Sequence, residues 1–388
     1  MEGLGVHDIA SLLAKHGISF PQDTSGSSDL EEVRDFGTNP GNLRMLESVP
    51  TAVLPKPALL VVLHGCTQTA ADYDRGAGWS VLADRYGFVV LFPEQRRTNN
   101  PNGCFNWFRS SDVTRGEGEV ESIRQMIAHS VRQHGIDPGN IFITGLSAGG
   151  AMASAMLACY PEVFAGGAII AGLPFGAADG VQQAFAAMSQ SPSRPAKEWG
   201  DVVRRASSHT GSWPRISLWH GGSDTTVVPA NAREILKQWT DVHQVTGAPV
   251  TEDIVDGIPR RAWKNSAGEE VVEYYAIPRM AHGTPLATGE GERQGGAAGP
   301  YMLEAGISSS YHIAKFFRLT NAGTHVLPEM RDAVFTARPH VRPTAAPVPS
   351  EAETQAPDAK TRFTRTPRSA GINIGAVIDG ALRAAGLK

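Results

Sequence analysis

The chain is poor in the features that would send it to nucleic acid or into a membrane. Its 388 residues carry 35 Lys+Arg against 39 Asp+Glu, a formal net charge of −4, so there is no basic excess with which to neutralise phosphates. No run of about eighteen uncharged apolar residues occurs, and no membrane-spanning helix is expected. Cysteine is scarce: Cys66, Cys104 and Cys159 make three, an odd number that leaves at least one thiol outside any bridge within the chain. No internal repeat is visible. Met1 to Gly17 lacks a positive n-region and an apolar h-region, so a secretory signal is not expected there and a cytoplasmic location is, unless a leader was removed and the protein is secreted. In that stretch Val6, Ile9, Leu12 and Leu13 instead fall on one face of a short helix ending at Lys15-His16-Gly17. What remains, 41% hydrophobic and 19% charged, suffices for one large core with peripheral segments.

The most informative stretch is Gly145-Leu146-Ser147-Ala148-Gly149. It follows the apolar run Ile141-Phe142-Ile143-Thr144 and precedes the Ala-rich Gly150 to Ala158. That is a strand, a turn tight enough to need small residues on both sides, and a helix, with a serine at the apex. The hydroxyl is pushed out of the sheet above the positive end of the helix, where developing negative charge is favoured. Alone, such a pattern also fits a glycine-rich turn in which serine caps a helix. In this context it reads as the nucleophile elbow of an α/β-hydrolase, a mostly parallel sheet with helices on both faces.

That fold requires an acid and then a histidine after the serine, each in a loop that follows a strand. Ile216 to His220 reads as a buried strand running into Gly221-Gly222-Ser223-Asp224, and Val271 to Ile277 alternates like a strand and leads to Met280-Ala281-His282-Gly283. Ser147, Asp224 and His282 therefore stand at three strand ends, where ligands bind in open α/β sheets. Asp253 and Asp256 rival Asp224, but no strand is read as ending immediately before either. Among the other histidines, His64 and His220 lie at strand ends ahead of glycine and fit structural roles, while His243 and His312 lie in helical-looking stretches. The run Ala58 to Leu63, apolar as a strand buried on both faces should be, ends in His64-Gly65-Cys66. The backbone N–H groups of Cys66 and Ala148 are the expected oxyanion donors. The set calls for no metal and no cofactor.

Phe36 to Met45, His64-Gly65-Cys66-Thr67-Gln68, Asn100 to Phe108, the elbow, His282-Gly283-Thr284-Pro285 and Ser308 to Phe317 occur in that order, and together they resemble the polyhydroxybutyrate (PHB) depolymerase family of esterases over about residues 36–319. The resemblance implies a serine carboxylesterase with a Ser-His-Asp triad, no metal, and a 3-hydroxyalkanoate ester, polymer or oligomer, as substrate. Relatives with the same core act on feruloyl and acetyl esters, which is the alternative reading. A third, from another class, is a granule- or surface-binding protein with a vestigial esterase, against which the complete triad argues. The family also places the Trp107 loop at the rim of the active site, so Trp107 and Phe105, beside Phe108, with His64 are expected to bind substrate. By the same resemblance Cys66 and Cys104 both approach the site. They are either a disulfide holding the oxyanion loop or two reduced thiols, and the compartment expected from the N-terminus favours the thiols. Cys159 reads as a small core residue.

These readings divide the chain into an N-terminal helical extension (1–35), a catalytic domain (36–320), a linker rich in Pro, Thr and Ala (321–370) and an amphipathic C-terminal helix (371–388). Within the catalytic domain, 173–213 leaves the sheet pattern and is either a cap over the site or an ordinary surface insertion. The final helix has Ile372, Ile374, Val377, Ile378, Ala381, Leu382 and Ala385 on one face. It suits self-docking or dimerisation better than attachment to a hydrophobic granule, because Gly375 and Gly380 weaken a free helix.

Overall fold

The structure, a computed structural model, describes residues 30–321. The N-terminal helix, most of the linker and the C-terminal amphipathic helix expected from the sequence lie outside the described residues.

Ten strands form one sheet: β1 (Glu31–Val33), β2 (Arg44–Ser48), β3 (Leu59–Leu63), β4 (Val89–Glu94), β5 (Ile141–Leu146), β6 (Gly166–Ile170), β7 (Arg215–Gly221), β8 (Thr251–Val255), β9 (Ile258–Lys264) and β10 (Glu270–Ile277). Their order across the sheet is β1-β2-β4-β3-β5-β6-β7-β10-β9-β8. The six central strands, β4 to β10 in that order, run parallel, and antiparallel pairs finish both edges. Strands covered on both faces should be apolar throughout rather than alternating, and β3, β4, β5 and β6 are buried at every position. In β3 the side chains of Leu59, Val61 and Leu63 enter one core and those of Leu60 and Val62 the other. The first core is closed by the helices Gly118–His134, Ala148–Cys159, Ala196–Arg205 and Ala230–Val242, the second by Ala70–Ala77, Trp79–Tyr86 and Ser309–Phe316. This is the α/β-hydrolase fold.

Residues 173–213 carry the helices Val181–Gln190 and Ala196–Arg205. The second packs on Ala230–Val242, with Trp199 fully buried and its indole N–H donating to Glu234 Oε2 at 2.8 Å. The first spans two loops, since Gly180 N donates to Phe108 O (2.7 Å) just before it and Val228 N donates to Met188 O (2.9 Å) near its end.

The hairpin of β8 and β9 corrects the expectation that no strand ends before the rival aspartates. Asp253 lies within β8, and Asp256 follows it directly. The turn residues Asp256 and Gly257 both adopt positive φ, 46° and 81°, as a two-residue hairpin of right-twisted strands requires.

Candidate active site

Parallel register sets the loops of the site side by side. Leu146 at the end of β5 pairs with Ile170 of β6, Ile170 with Trp219 of β7, and Gly221 of β7 with Ile277 of β10. Ser147, Asp224 and His282 thus leave three carboxyl ends spread over four adjacent strands, which lie about 4.8 Å apart.

Ser147 has φ 58° and ψ −116°, a conformation in which a residue with a side chain is strained by about 1–3 kcal/mol. The strain is maintained by packing. Ser147 N donates to Ile170 O at 2.9 Å; a Cβ on Gly145 would collide with the backbone of Gly149, and one on Gly149 with the carbonyl oxygens of Leu63 and His64. The glycines let the helix Ala148–Cys159 start directly against the end of β3. Ala148 N is the first N–H of that helix, which has no acceptor within it, and it lies at the positive end of the helix dipole.

The acid and base loops are joined by backbone. Gly222 N donates to Ile277 O (2.8 Å) and Ser223 N to Met280 O (3.0 Å). Across this seam His282 Nδ1 donates to Asp224 Oδ2 at 2.7 Å, with both residues buried. The other carboxylate oxygen, Oδ1, accepts from Thr226 N (2.9 Å) and Val227 N (2.8 Å). With the proton on Nδ1, the Nε2 lone pair of His282 is free to act as a base. His220 Nε2 donates to Val227 O at 2.8 Å and lies 3.4 Å from Asp224 Oδ2. Burial lowers the pKa of His220 below the ordinary histidine value, so it braces the acid turn as a neutral ring.

On the oxyanion side, Gly65 N donates to Gln68 Oε1 (2.8 Å), Thr67 N to Asn102 O (2.8 Å) and Gln68 N to Gly65 O (3.4 Å). The Cys66 N–H takes no part in this set. An elbow serine, a buried Asp–His couple and two strand-end N–H groups make an arrangement able to carry out acyl transfer.

A family model described as esterase PHB depolymerase matches residues 44–253. The chain belongs to this esterase family. It is 45% identical over 308 residues, 79% of its length and 74% of the relative's, to poly(3-hydroxyalkanoate) depolymerase C of Paucimonas lemoignei. It is 34% identical to an acetylxylan esterase of Coprinopsis cinerea (67% of this chain, 70% of the relative), and 33% identical to feruloyl esterase B of Thermothelomyces thermophilus (61% and 81%). The solved acetyl xylan esterase of Aspergillus awamori superposes with a TM-score of 0.60 at 27% identity, over 65% of this chain and 93% of that one. The protein is a carboxylic ester hydrolase.

Three expectations for this esterase are corrected by its structure. Cys66 and Cys104 are joined in a disulfide across 38 residues rather than held as two thiols; geometry, which brings their loops together, prevails over the compartment argument. Phe105 is fully buried in the core, its ring 5.0 Å from that of His64, and has no surface to offer a substrate. His64 is buried as well, with both ring nitrogens engaged: Nδ1 donates to Gly65 O (2.7 Å) and Nε2 accepts from Gln95 N (3.1 Å). Trp107 retains 9% exposure and packs edge-on against Phe108 at 5.5 Å.

The other histidines and acids fall elsewhere. Asp256 Oδ2 accepts from His312 Nε2 at 2.7 Å and its Oδ1 from Arg293 at 3.2 Å, tying the β8–β9 turn to the helix Ser309–Phe316. Asp253 forms a longer pair with Arg260 at 3.4 Å. His243 Nε2 donates to Pro214 O (2.9 Å), and burial pushes its pKa down to about 4.

Two groups near the site carry no signal in the sequence. Tyr301, at φ 63°, sets its ring edge-on to His282 with centroids 6.1 Å apart. Glu119 is fully buried near the start of Gly118–His134, where a helical glutamate in a sequence reads as solvated.

Proposed function

We propose that this esterase hydrolyses 3-hydroxyalkanoate esters, polymer or oligomer, through an acyl-enzyme on Ser147. The observation that carries the reading is the 2.7 Å bond between His282 and Asp224 at strand ends neighbouring the strained elbow of Ser147. Ser147 Oγ attacks the ester carbonyl carbon and its proton passes to His282 Nε2. The C–O bond to the alcohol then breaks as Nε2 returns that proton to the leaving oxygen. Water attacks the acyl-enzyme by the same route, and the acid departs. Asp224 fixes the imidazole tautomer and stabilises the imidazolium. The N–H groups of Cys66 and Ala148 receive the oxyanion, a contribution of about 3–4 kcal/mol for a single donor in a comparable site.

The name of the Paucimonas relative supports the hydroxyalkanoate acyl group. Those of the Coprinopsis and Thermothelomyces relatives support the alternative of an acetyl or feruloyl ester. Trp107 is proposed as an apolar wall. The helix Val181–Gln190, bonded to both the Phe108 loop and the acid loop, supports the cap reading of 173–213. The disulfide supports work in an oxidising compartment. For the C-terminal amphipathic segment we favour self-association, and deletion of residues 368–388 should then change oligomeric state or stability before it changes binding to polymer granules.

The test is hydrolysis of a p-nitrophenyl ester series, 3-hydroxybutyrate oligomers and methyl ferulate by one preparation, with Ser147→Ala alongside. The variant should remain folded, lose phosphonate labelling, and lose kcat by about 10⁴-fold or more. Labelling at another serine refutes the mechanism, and a preference for methyl ferulate refutes the acyl assignment.

A further inference from the structure

Glu119 is fully buried, and its hydrogen-bond partners are all neutral amides. Oε1 accepts from Gln95 Nε2 (2.5 Å) and Asn106 Nδ2 (2.7 Å), while Oε2 accepts from Asn106 N (2.8 Å). Burying a carboxyl group without a cation is costly. Burial, with Asp112 nearby, pushes the pKa of Glu119 up to about 8 against the pull of those donors. A cost of this kind calls for a reason in what the carboxyl group holds.

It holds both ends of one segment. Gln95 begins the stretch 95–106 and Asn106 closes it, with Asn100 Nδ2 donating to Asn106 Oδ1 (3.1 Å) inside. This stretch is tied to three consecutive residues of the oxyanion loop. Gln95 N donates to His64 Nε2, and His64 Nδ1 donates to the carbonyl of Gly65. Cys104, whose carbonyl accepts from Gln95 Nε2 (3.1 Å), is bonded through sulfur to Cys66. Asn102 O accepts from Thr67 N at 2.8 Å. Residues 65, 66 and 67 are therefore all anchored to the segment that Glu119 fixes.

We propose that Glu119 is a positioning residue for ester hydrolysis: by holding Gln95 and Asn106 it sets the 95–106 segment, and through it the backbone N–H of Cys66, where the oxyanion forms. The inference rests on the reading of Cys66 N–H as an oxyanion donor. The carboxyl group is specific to the task because both of its oxygens accept from the three donors, and an oxygen that carries a proton still presents a lone pair, which an amide NH₂ does not. In Glu119→Gln an NH₂ group must face at least one of those donors, so the segment has to shift, and a displacement of about 1 Å at a site that acts by position costs on the order of 10²-fold in rate.

The experiment compares wild type, Glu119→Gln and Asn106→Ala on p-nitrophenyl butyrate, well below the measured Tm of each and normalised to the folded fraction. Asn106→Ala removes the side-chain donor, one of the three, together with the Asn100 bond inside the segment, without touching the helix, and it decides the matter if Glu119→Gln fails to fold. The expected result is a kcat lower by about 10- to 100-fold with KM changed less than about threefold, because the lost contact serves the transition state. Glu119→Gln combined with Cys66→Ser/Cys104→Ser should lose less than the product of the separate losses, since both act through one loop. A folded Glu119→Gln or Asn106→Ala with lowered Tm and unchanged kcat overturns the inference, as do strictly multiplicative losses. Wild-type activity that survives Ser147→Ala overturns the underlying mechanism; activity that depends on Ser147 but is indifferent to Glu119 overturns this inference alone.

Discussion

Breaking the Cys66–Cys104 bond separates two effects that the structure places on one pair of sulfurs. The bond closes a loop of 38 residues, and the chain-entropy relation for a loop of that length gives about 4 kcal/mol of stabilisation through restriction of the unfolded chain. For a domain of this size that corresponds to a Tm lower by roughly 6–8 °C in the Cys66→Ser/Cys104→Ser variant. The second effect is local. Thr67 N keeps its bond to Asn102 O, so the oxyanion loop stays in place but loses its tightest tether at Cys66. The loss of kcat at 25 °C should therefore be bounded by that of a single oxyanion donor, on the order of 10²–10³-fold. Thiol titration tests the premise directly. Unreduced protein in denaturant should show one thiol per chain and reduced protein three, because only Cys159 is free. In the native state Cys159 should react slowly, as burial pushes its thiol up to about 12. Three thiols before reduction, or a reduced protein with unchanged Tm and kcat, would refute the reasoning.

Asp224→Asn should lower kcat by about 10⁴-fold, because the amide favours the wrong tautomer of His282; stopped assays at several pH values check this. Asp256→Asn should leave kcat intact and cost about 1 kcal/mol in urea unfolding, since the amide oxygen can still accept from His312 while the charge is lost and the NH₂ faces Arg293. If it abolishes turnover instead, the acid has been misassigned. Burial raises the pKa of Glu273 to about 7, against Arg260 and Ser217, which bond to it. A carboxyl group whose folded pKa is raised contributes most below its unfolded value of 4.5, and that contribution is lost as pH rises through about 7. Wild type should thus lose stability over this window by at most about 3 kcal/mol from this group, and Glu273→Gln should flatten the curve; an equal slope in both proteins refutes the assignment.

The elbow was legible because its requirement is steric. Gly145 and Gly149 stand where a side chain would meet backbone, and the apolar run before them and the Ala-rich run after them declare a strand and a helix. Asp224 and His282 followed from strand-end placement in a fixed chain order, which the register across β7 and β10 satisfies. Burial of individual loop residues was not legible. Phe105 and His64 sit beside the site in sequence but point into the core, and nothing in Asn100 to Phe108 distinguishes a wall from its foundation. Glu119 was not legible for the opposite reason, since its partners Gln95 and Asn106 lie in a preceding stretch without periodicity, where nothing marks them as facing the helix. The β8–β9 hairpin is hard to read although Asp256-Gly257 is a strong turn signal, because the exposed, polar β8 lacks a hydrophobic alternation to frame it.

The central strands that carry the site are joined across long stretches of chain: Leu59 lies beside Ile141, and Ile216 beside Val272. Pairings of this kind close large loops before they gain any contact, so they form late and slowly, whereas helices form within microseconds. The three reacting side chains meet only when β5, β6, β7 and β10 are all in register. Turnover is therefore a reporter of the completed sheet, and during refolding it should return after the far-ultraviolet signal of the helices. Until then the wholly apolar β3 and the largely apolar β5 are exposed to other chains, which makes dilution, more than time, the condition for recovering active enzyme.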